Sequence, residues 1–211
     1  GRTRRVTIVI QDLGIESNGL TDSAFHRILL FPTAPGTGDL SFHESWWRLV
    51  GVHEYSHWQH LSARGGLPGL AVALAGTWAA PGNATPSWLT EGICVYAESG
   101  LSSLEGRLNE GTYEAILASL ARAGRLPGLV EATFQPLGFP GAGTSVRLLG
   151  GSFFAYLVRT YGPEALPRFF GHFASSGWSY VSPLVPWVGV DRSARKVFGE
   201  KARRLRSLGG S

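Results

Sequence analysis

The sequence predicts an α+β fold in which a small N-terminal sheet is followed by helices. Two runs rich in β-branched and other aliphatic residues, at 6–10 and 27–31, have the composition of strands. From residue 42 onward the hydrophobic spacing becomes helical. Strands followed by helices are typical of α+β folds rather than of alternating α/β folds.

The first boundaries follow from glycine and proline. Asn18-Gly19 is a turn signal between the two strands, and Pro32 ends the second strand. A loop rich in proline and glycine comes next, and the first helix is expected over 42–61. A glycine-rich loop is expected over 63–69.

The later boundaries follow from capping signals. Thr85 can cap the next helix and Pro86 suits its first turn, so we expect a helix that runs to Ser99 and ends at Gly100. The remaining helical patterns predict four more helices, at 112–123, 151–161, 164–174 and 191–205.

The length of the chain, 211 residues, suits one domain with its own core. We expect a single domain over 1–211, with the sheet and the first helices in about 1–100 and a helical part in about 101–211. Because the chain begins Gly-Arg-Thr and contains no methionine, we expect it to be part of a longer protein.

The composition excludes several classes of function. Of the 19 cationic residues, all but Lys196 and Lys201 are arginines, and most are scattered, whereas nucleic-acid-binding proteins concentrate their charge. The single cysteine, Cys94, excludes a disulfide framework and a cysteine-rich zinc module. The longest apolar stretch, 67–81, is broken by proline and glycine, and no run reaches about 18 apolar residues. We therefore expect no nucleic-acid partner and no membrane span.

The motif that carries chemistry is His53-Glu54-Tyr55-Ser56-His57, an H-E-x-x-H sequence within the first predicted helix. Residues i and i+4 share one face of a helix, so two imidazoles can bind one zinc ion. Glu54 then lies beside the metal, where it can take a proton from the attacking water.

A third ligand decides the class of the site. His60 follows His53 by seven residues, which is about 10.5 Å along a helix axis, too far for both to bind one ion. We therefore expect His60 at the rim or behind the ligands. The sequence after His57 also lacks the H-x-x-G-x-x-H continuation of metzincins.

The segment from Pro86 to Glu98, which reads P-S-W-L-T-E-G-I-C-V-Y-A-E, resembles the second zinc helix of the gluzincin metallopeptidases. The resemblance implies a zincin-like fold and a His-His-Glu site for one zinc per chain, with His53, His57 and Glu91 as ligands. The W-L-x-E-G string is similar to that of the aminopeptidase branch, although the 33 residues between His57 and Glu91 make a longer connection than that branch uses.

The order of strand, Asn-Gly turn, strand, H-E-x-x-H and W-L-T-E-G also resembles bacterial peptidase domains that precede a β-propeller. This resemblance extends to about Gly171. It implies a cell-envelope or secreted location and a C-terminal propeller as a partner in the full-length chain.

Two family features are missing. The G-x-M-E-N string with which aminopeptidase gluzincins bind the substrate amine is absent. Arg147 stands where the family carries the tyrosine that stabilises the oxyanion; a guanidinium can serve that role, or Arg147 can form a salt bridge instead. Tyr156 is a second candidate, although its helical neighbours indicate packing.

Two residues of the second zinc helix have open roles. Glu98 follows Glu91 by two turns and can orient a zinc-binding histidine from behind, or be a solvated carboxylate at the helix end. Cys94 is expected to be a small buried residue.

The resulting prediction is a zinc-dependent endopeptidase in which Glu54 is the general base and then the general acid, with Arg147 as an oxyanion donor. The strand at 27–31 would form the edge of the cleft and pair with an extended peptide or protein substrate, and the apolar residues 67–80 would wall the cleft. The alternative is a zinc-stabilised interaction module with little or no turnover. Retention of Glu54 argues against this alternative, because a structural zinc site needs no base.

Overall fold

The computed structural model describes residues 5–12, 14–36, 43, 45–127, 144–181 and 188–199. Three short strands precede seven helices in this part of the chain, so the predicted α+β class is confirmed. The strands are β1 (Thr7–Ile10), β2 (Gly19–Asp22) and β3 (Arg27–Leu30). The helices are α1 (Trp46–Ser62), α2 (Gly66–Ala75), α3 (Ser87–Ser99), α4 (Gly111–Arg122), α5 (Thr144–Tyr161), α6 (Ala165–Ser175) and α7 (Val188–Phe198).

The sheet differs from the predicted one in its number of strands and in its edge. Its order is β1-β3-β2, with β3 parallel to β1 and antiparallel to β2. The prediction that the strand at 27–31 forms the cleft edge is therefore wrong, because β3 is paired on both sides. The edge strands are β1 and β2, and only β2 lies at the described cleft. Its Gly-Leu-Thr-Asp sequence has little strand propensity and is held extended by its pairing with β3.

The sheet packs on the apolar face of helix α1. Ile28 and Leu30 of β3 pack against Leu49 and Val50 of α1 in one buried cluster. Leu20 and Thr21 point to opposite faces of β2, since side chains alternate along a strand, and the Thr21 face is the one turned toward α1. The first two turns of α1 are thereby fixed beneath β2 and β3.

Helices α3 and α5 cross at close range and form the centre of the larger core. Trp88 of α3 meets Phe153 of α5 edge-on and stacks on Phe154, and the same buried cluster includes residues of α6 and α7. At the crossing, a Cβ atom on Gly92 would meet the backbone of Gly150, so neither position has room for a side chain. This close approach places the polar end of α5 beside the polar face of α3.

Several predicted boundaries shift. The segment predicted as a glycine-rich loop and cleft wall contains helix α2, which packs on α6, and residues 67–80 do not line the described cleft. The helix predicted at 151–161 begins at Thr144, and the last predicted helix ends at Phe198, with residues 200–205 outside the described part. Within the described residues, no helix is long and apolar enough to cross a membrane.

Candidate metal centre

The two histidines of the H-E-x-x-H motif lie one turn apart on the buried face of α1. Their ring centroids are 4.9 Å apart. Glu91 of α3 lies opposite them, with Oε2 3.5 Å from Nε2 of His53 and Oε1 3.6 Å from Nε2 of His57. These distances exceed those of ordinary N–H···O hydrogen bonds, so the carboxylate faces both rings without being bonded closely to either.

The charge states of Glu91 and His57 suit metal binding. Burial would lower the pKa of His53, but its interactions with Glu91 and Glu98 outweigh burial and raise it. Burial, and then the charge on His53, lower the pKa of His57 to about 4. Burial would raise the pKa of Glu91, but His53 and Arg147 outweigh that effect and hold it well below its usual range. At neutral pH the carboxylate is therefore ionised and the His57 ring is neutral, which are the states in which both groups bind metals.

Cys94 offers a further donor next to the histidines. The ligand atoms of His53, His57 and Cys94 all lie within 4.8 Å of one another, so this buried group could hold a metal ion. The thiol donates a hydrogen bond to the Thr90 carbonyl at 3.3 Å. Burial, and then the nearby carboxylates, raise the pKa of the Cys94 thiol well above its usual range. Cys94 is buried, as the sequence predicts, but the sequence did not predict that it lies beside the histidines.

Glu98 lies behind His53 and is fully buried. Its Oε2 is 2.7 Å from Nδ1 of His53, so it can accept the Nδ1 proton and leave the Nε2 lone pair facing Glu91. The structure thus places Glu98 in the interior against Nδ1 of His53, rather than at a solvated helix end.

The charge of Glu98 is balanced by Arg107, which the sequence analysis did not single out. Nη1 of Arg107 lies 2.6 Å from Oε1 and 2.7 Å from Oε2 of Glu98, and the backbone N–H of Arg107 donates to Oε1 at 3.3 Å. Arg107 is 4% exposed. The result is a buried Arg107–Glu98–His53 chain that holds one imidazole in place.

The loop that carries Arg107 is itself tightly held. Gly106 has φ +85°, and a Cβ atom there would collide with the backbone of Ser99, so glycine is needed for this approach. Asn109 donates from its side-chain amide to the Ser99 carbonyl at 2.9 Å and to the Ser102 carbonyl at 2.8 Å. In the sequence this loop is marked only by Gly106 next to Arg107, and no hydrophobic period predicts that Arg107 reaches Glu98.

Glu54 lies between α1 and the edge strand. The Thr21 hydroxyl oxygen is 2.7 Å from the Glu54 carbonyl oxygen and 2.8 Å from Oε2. The single proton of this hydroxyl can be donated to either oxygen. Burial raises the pKa of Glu54, and the charge of His53 and the hydrogen bond from Thr21 oppose this effect without cancelling it. A Cβ atom on Gly19 would lie 2.5 Å from Cγ of Glu54, so glycine in β2 leaves the space for this carboxyl.

Arg147 reaches the same site from α5. Its Nε lies 2.9 Å from Oε2 of Glu91, the oxygen that faces His53. The side chain is 35% exposed and lines the cleft. Tyr156, the second candidate for an oxyanion donor, packs against the large core instead.

His60 lies on a different part of α1. Its Nε2 is 3.0 Å from Oγ1 of Thr85, and its ring packs edge-on against Phe170 at 4.9 Å between centroids. Burial, and then the charge of His57, lower the pKa of His60 to about 3. The ring therefore belongs to the packing between α1 and α6.

His53, His57 and Glu91 line a cleft of about 540 Å³. One wall is residues 17–21, which contain the start of β2, and the other walls are α1, α3 and α5. The side chains with catalytic or metal-binding chemistry that line it are His53, Glu54, His57, Glu91, Arg107 and Arg147.

In comparisons with known proteins, no family model, no curated protein and no solved structure matches this chain. The likeness to gluzincins therefore remains a prediction, and functional assignment depends on the geometry of the site.

Proposed function

We propose that this chain is a zinc-dependent hydrolase of peptide bonds that binds one zinc ion through His53, His57 and Glu91. The observation that carries the proposal is the placement of two buried Nε2 atoms opposite the two oxygens of one ionised carboxylate. Ligands at about 2.0–2.2 Å around a tetrahedral zinc ion are separated from one another by about 3.4 Å. Oε2 lies 3.5 Å from Nε2 of His53 and Oε1 lies 3.6 Å from Nε2 of His57, so each carboxylate oxygen is at about that spacing from one of the two rings.

A zinc ion held by these residues would supply a Lewis acid for the attacking water and for the carbonyl of the bond to be cleaved. Glu54 takes the proton of the attacking water and passes it to the leaving amine. The Thr21 hydroxyl supports both states of this carboxyl, because it can donate to Oε2 or accept from it. Arg147 supplies a guanidinium on the side of the cleft beside Glu91, where it can stabilise the oxyanion.

Substrate binding is best explained by β2. Phe31 donates its N–H to the carbonyl of Asn18 at 3.0 Å, so Asn18 is bonded to the chain of β3. In an antiparallel pair every second residue of a strand bonds to the neighbouring strand, and the residues between them face the other way. Gly19 and Thr21 therefore direct their backbone groups away from β3, at the wall of the cleft. An extended peptide could pair with this edge and lie across the donors. This proposal replaces the strand at 27–31 with β2 as the substrate-binding edge.

A second function, a zinc-stabilised interaction module without turnover, is favoured by one observation. The Nε of Arg147 lies 2.9 Å from Glu91, so this part of the guanidinium is paired with a proposed zinc ligand and does not face a substrate.

The resemblance to the peptidase domains also implies a cell-envelope location and a C-terminal propeller partner. We keep both as parts of the proposal.

Metal analysis of five variants tests the ligand set. We expect His57→Ala and Glu91→Ala to lose bound zinc, and His60→Ala and Cys94→Ala to retain it, since the proposed ligands are His53, His57 and Glu91. Loss of zinc from Cys94→Ala with retention in Glu91→Ala would assign the metal to the histidine–cysteine group. The fifth variant, Glu54→Gln, should keep zinc.

Hydrolysis separates the two functions. The wild-type chain with zinc should cleave members of a mixed peptide library, and Glu54→Gln should be slower by about 10²-fold or more, because its amide cannot take a proton. Equal rates in both proteins would remove Glu54 from the mechanism. Zinc binding without cleavage of any peptide would favour the interaction module.

A further inference from the structure

Helix α2 and the turn after it form an exposed apolar surface that the cleft does not use. We define the α2 surface as the side chains of Leu67, Leu70, Leu74 and Trp78, which are 72, 58, 82 and 77% exposed. The three leucines follow the spacing i, i+3, i+7 and share one face, while Pro68 and Val72 on the other side are buried. Ten-residue α2 contains no polar side chain, and residues 65–90 contain no charged one.

Two neighbouring segments extend this surface with aromatic rings. The Thr77 hydroxyl donates to the Ala24 carbonyl at 3.3 Å, which brings the β2–β3 turn, with its 69% exposed Phe25, against the residue before Trp78. The Tyr180 hydroxyl donates to the Ala79 carbonyl at 2.6 Å, which brings the short 3₁₀ helix Gly177–Val181 to the same place.

The aromatic edge carries arginines. The guanidinium of Arg27 lies 5.2 Å from the ring centre of Phe25, and that of Arg192 lies 3.8 Å from the ring centre of Trp178. Asp22 pairs with Arg27 at 3.0 Å and leaves 46% of that side chain exposed. The leucine face itself is uncharged, and the aromatic rings beside the two arginines lie in the segments that are bonded to the turn after α2, where Arg27 is paired with Asp22.

This arrangement fits the surface of a lipid bilayer with anionic headgroups. Leucines can enter the acyl region, tryptophan and tyrosine prefer the boundary between acyl chains and water, and arginines attract anionic headgroups. A helix of ten residues rises only about 15 Å, half of the hydrocarbon thickness, so α2 would lie in the plane of the bilayer. A protein partner would usually find hydrogen-bonding side chains across the contact, and α2 offers none.

We propose that the α2 surface attaches this chain to the surface of an anionic lipid bilayer, with Leu67, Leu70, Leu74 and Trp78 inserted and Arg27 and Arg192 at the headgroups. The attachment is independent of the proposed hydrolysis, because none of these residues lines the cleft. Its consequence is that the cleft would work close to a membrane surface.

Sedimentation with vesicles tests the proposal. The chain should sediment with vesicles of phosphatidylcholine mixed with phosphatidylglycerol, and less strongly with phosphatidylcholine alone. Leu70→Glu combined with Leu74→Glu should weaken binding at least about tenfold, because two charges would enter the apolar boundary. Leu104→Glu is the matched control, since Leu104 is 81% exposed but lies between α3 and α4. Thermal unfolding of each variant shows whether its fold is retained.

Three results would overturn the proposal. The first is wild-type protein that stays in the supernatant with both kinds of vesicle. The second is an equal loss of binding in Leu104→Glu. The third is a dimer, detected by analytical ultracentrifugation, that the double variant dissociates while vesicle binding is absent, which would assign the α2 surface to a second copy of the chain.

Discussion

Replacing Arg107 should show how much the proposed metal centre depends on residues that hold a ligand in place without being ligands themselves. Its guanidinium is bonded to both oxygens of fully buried Glu98, and Glu98 is bonded to His53. Arg107→Gln would leave a buried carboxylate without its cation, so we expect the free energy of unfolding of the metal-free protein to fall by about 3–5 kcal/mol. The affinity for zinc, measured by competition with a chelating dye, should fall by about 10- to 100-fold because His53 loses its orientation.

The control for Arg107 is Arg27, an arginine in an ion pair that is partly exposed on both sides. Arg27 is 46% exposed and lies 3.0 Å from Asp22, which is 22% exposed, so Arg27→Gln should change the free energy of unfolding by less than about 1 kcal/mol and leave zinc affinity unchanged. Arg107→Lys keeps the charge on a side chain that is one atom shorter, so its loss of stability and of zinc affinity should fall between those of the other two variants. Unchanged zinc affinity in a folded Arg107→Gln protein would remove Arg107 from the support of the site.

His60 should give the metal-free protein part of its pH dependence. Burial lowers the pKa of His60 to about 3 from 6.5, so between these values the unfolded chain takes up a proton that the folded chain does not. The free energy of unfolding should therefore fall as the pH falls below 6.5, by up to about 1.4 kcal/mol per pH unit from this group. His60→Gln keeps a donor toward Thr85 and removes the titration. Chemical denaturation between about pH 6 and pH 5 should give a shallower slope for the variant, and parallel curves would contradict the prediction.

At the scale of elements, the crossing of α3 and α5 sets the distance between Glu91 and Arg147. Gly92 and Gly150 leave no space for a Cβ atom between the two backbones. Gly92→Ala should push the helices apart, lower the free energy of unfolding by at least about 1–3 kcal/mol and weaken zinc binding through the adjacent Glu91. Gly171→Ala is the matched control within a helix, because its added methyl group meets open space and should stabilise the fold by about 0.5–1 kcal/mol. Urea denaturation measures both, and equal behaviour of the two variants would show that the crossing can relax.

At the scale of the whole molecule, the cleft indicates which end of a substrate is recognised. The carboxylates among its lining residues are Glu54 and Glu91, and both have assigned partners. The described cleft thus has no spare carboxylate for the free amine that an aminopeptidase binds, whereas β2 can pair with internal backbone. We expect a peptide and its N-acetylated twin to be cleaved at the same internal bond at similar rates, as seen by mass spectrometry. Removal of single residues from the free peptide only would contradict endopeptidase action.

The sequence by itself determined the α+β class and the pairing of His53 with His57. Both depend on local spacing: the strands on short β-branched runs, and the histidines on the i, i+4 geometry that any helix imposes. The resemblance to gluzincins indicated Glu91 as a ligand, and the spacing of seven residues then placed Glu98 on the same helical face as Glu91. These expectations needed no knowledge of how the elements pack.

The tertiary structure alone decided the contacts between residues distant in sequence. Arg107 reaches Glu98 through a left-handed glycine, and β2 is held extended by β3 despite its weak strand propensity. Cys94 comes near the histidines only because α3 packs on α1, and the apolar α2 remains exposed because its other side packs on α6. No period in the sequence encodes such contacts, because each depends on how the backbone brings separate elements together.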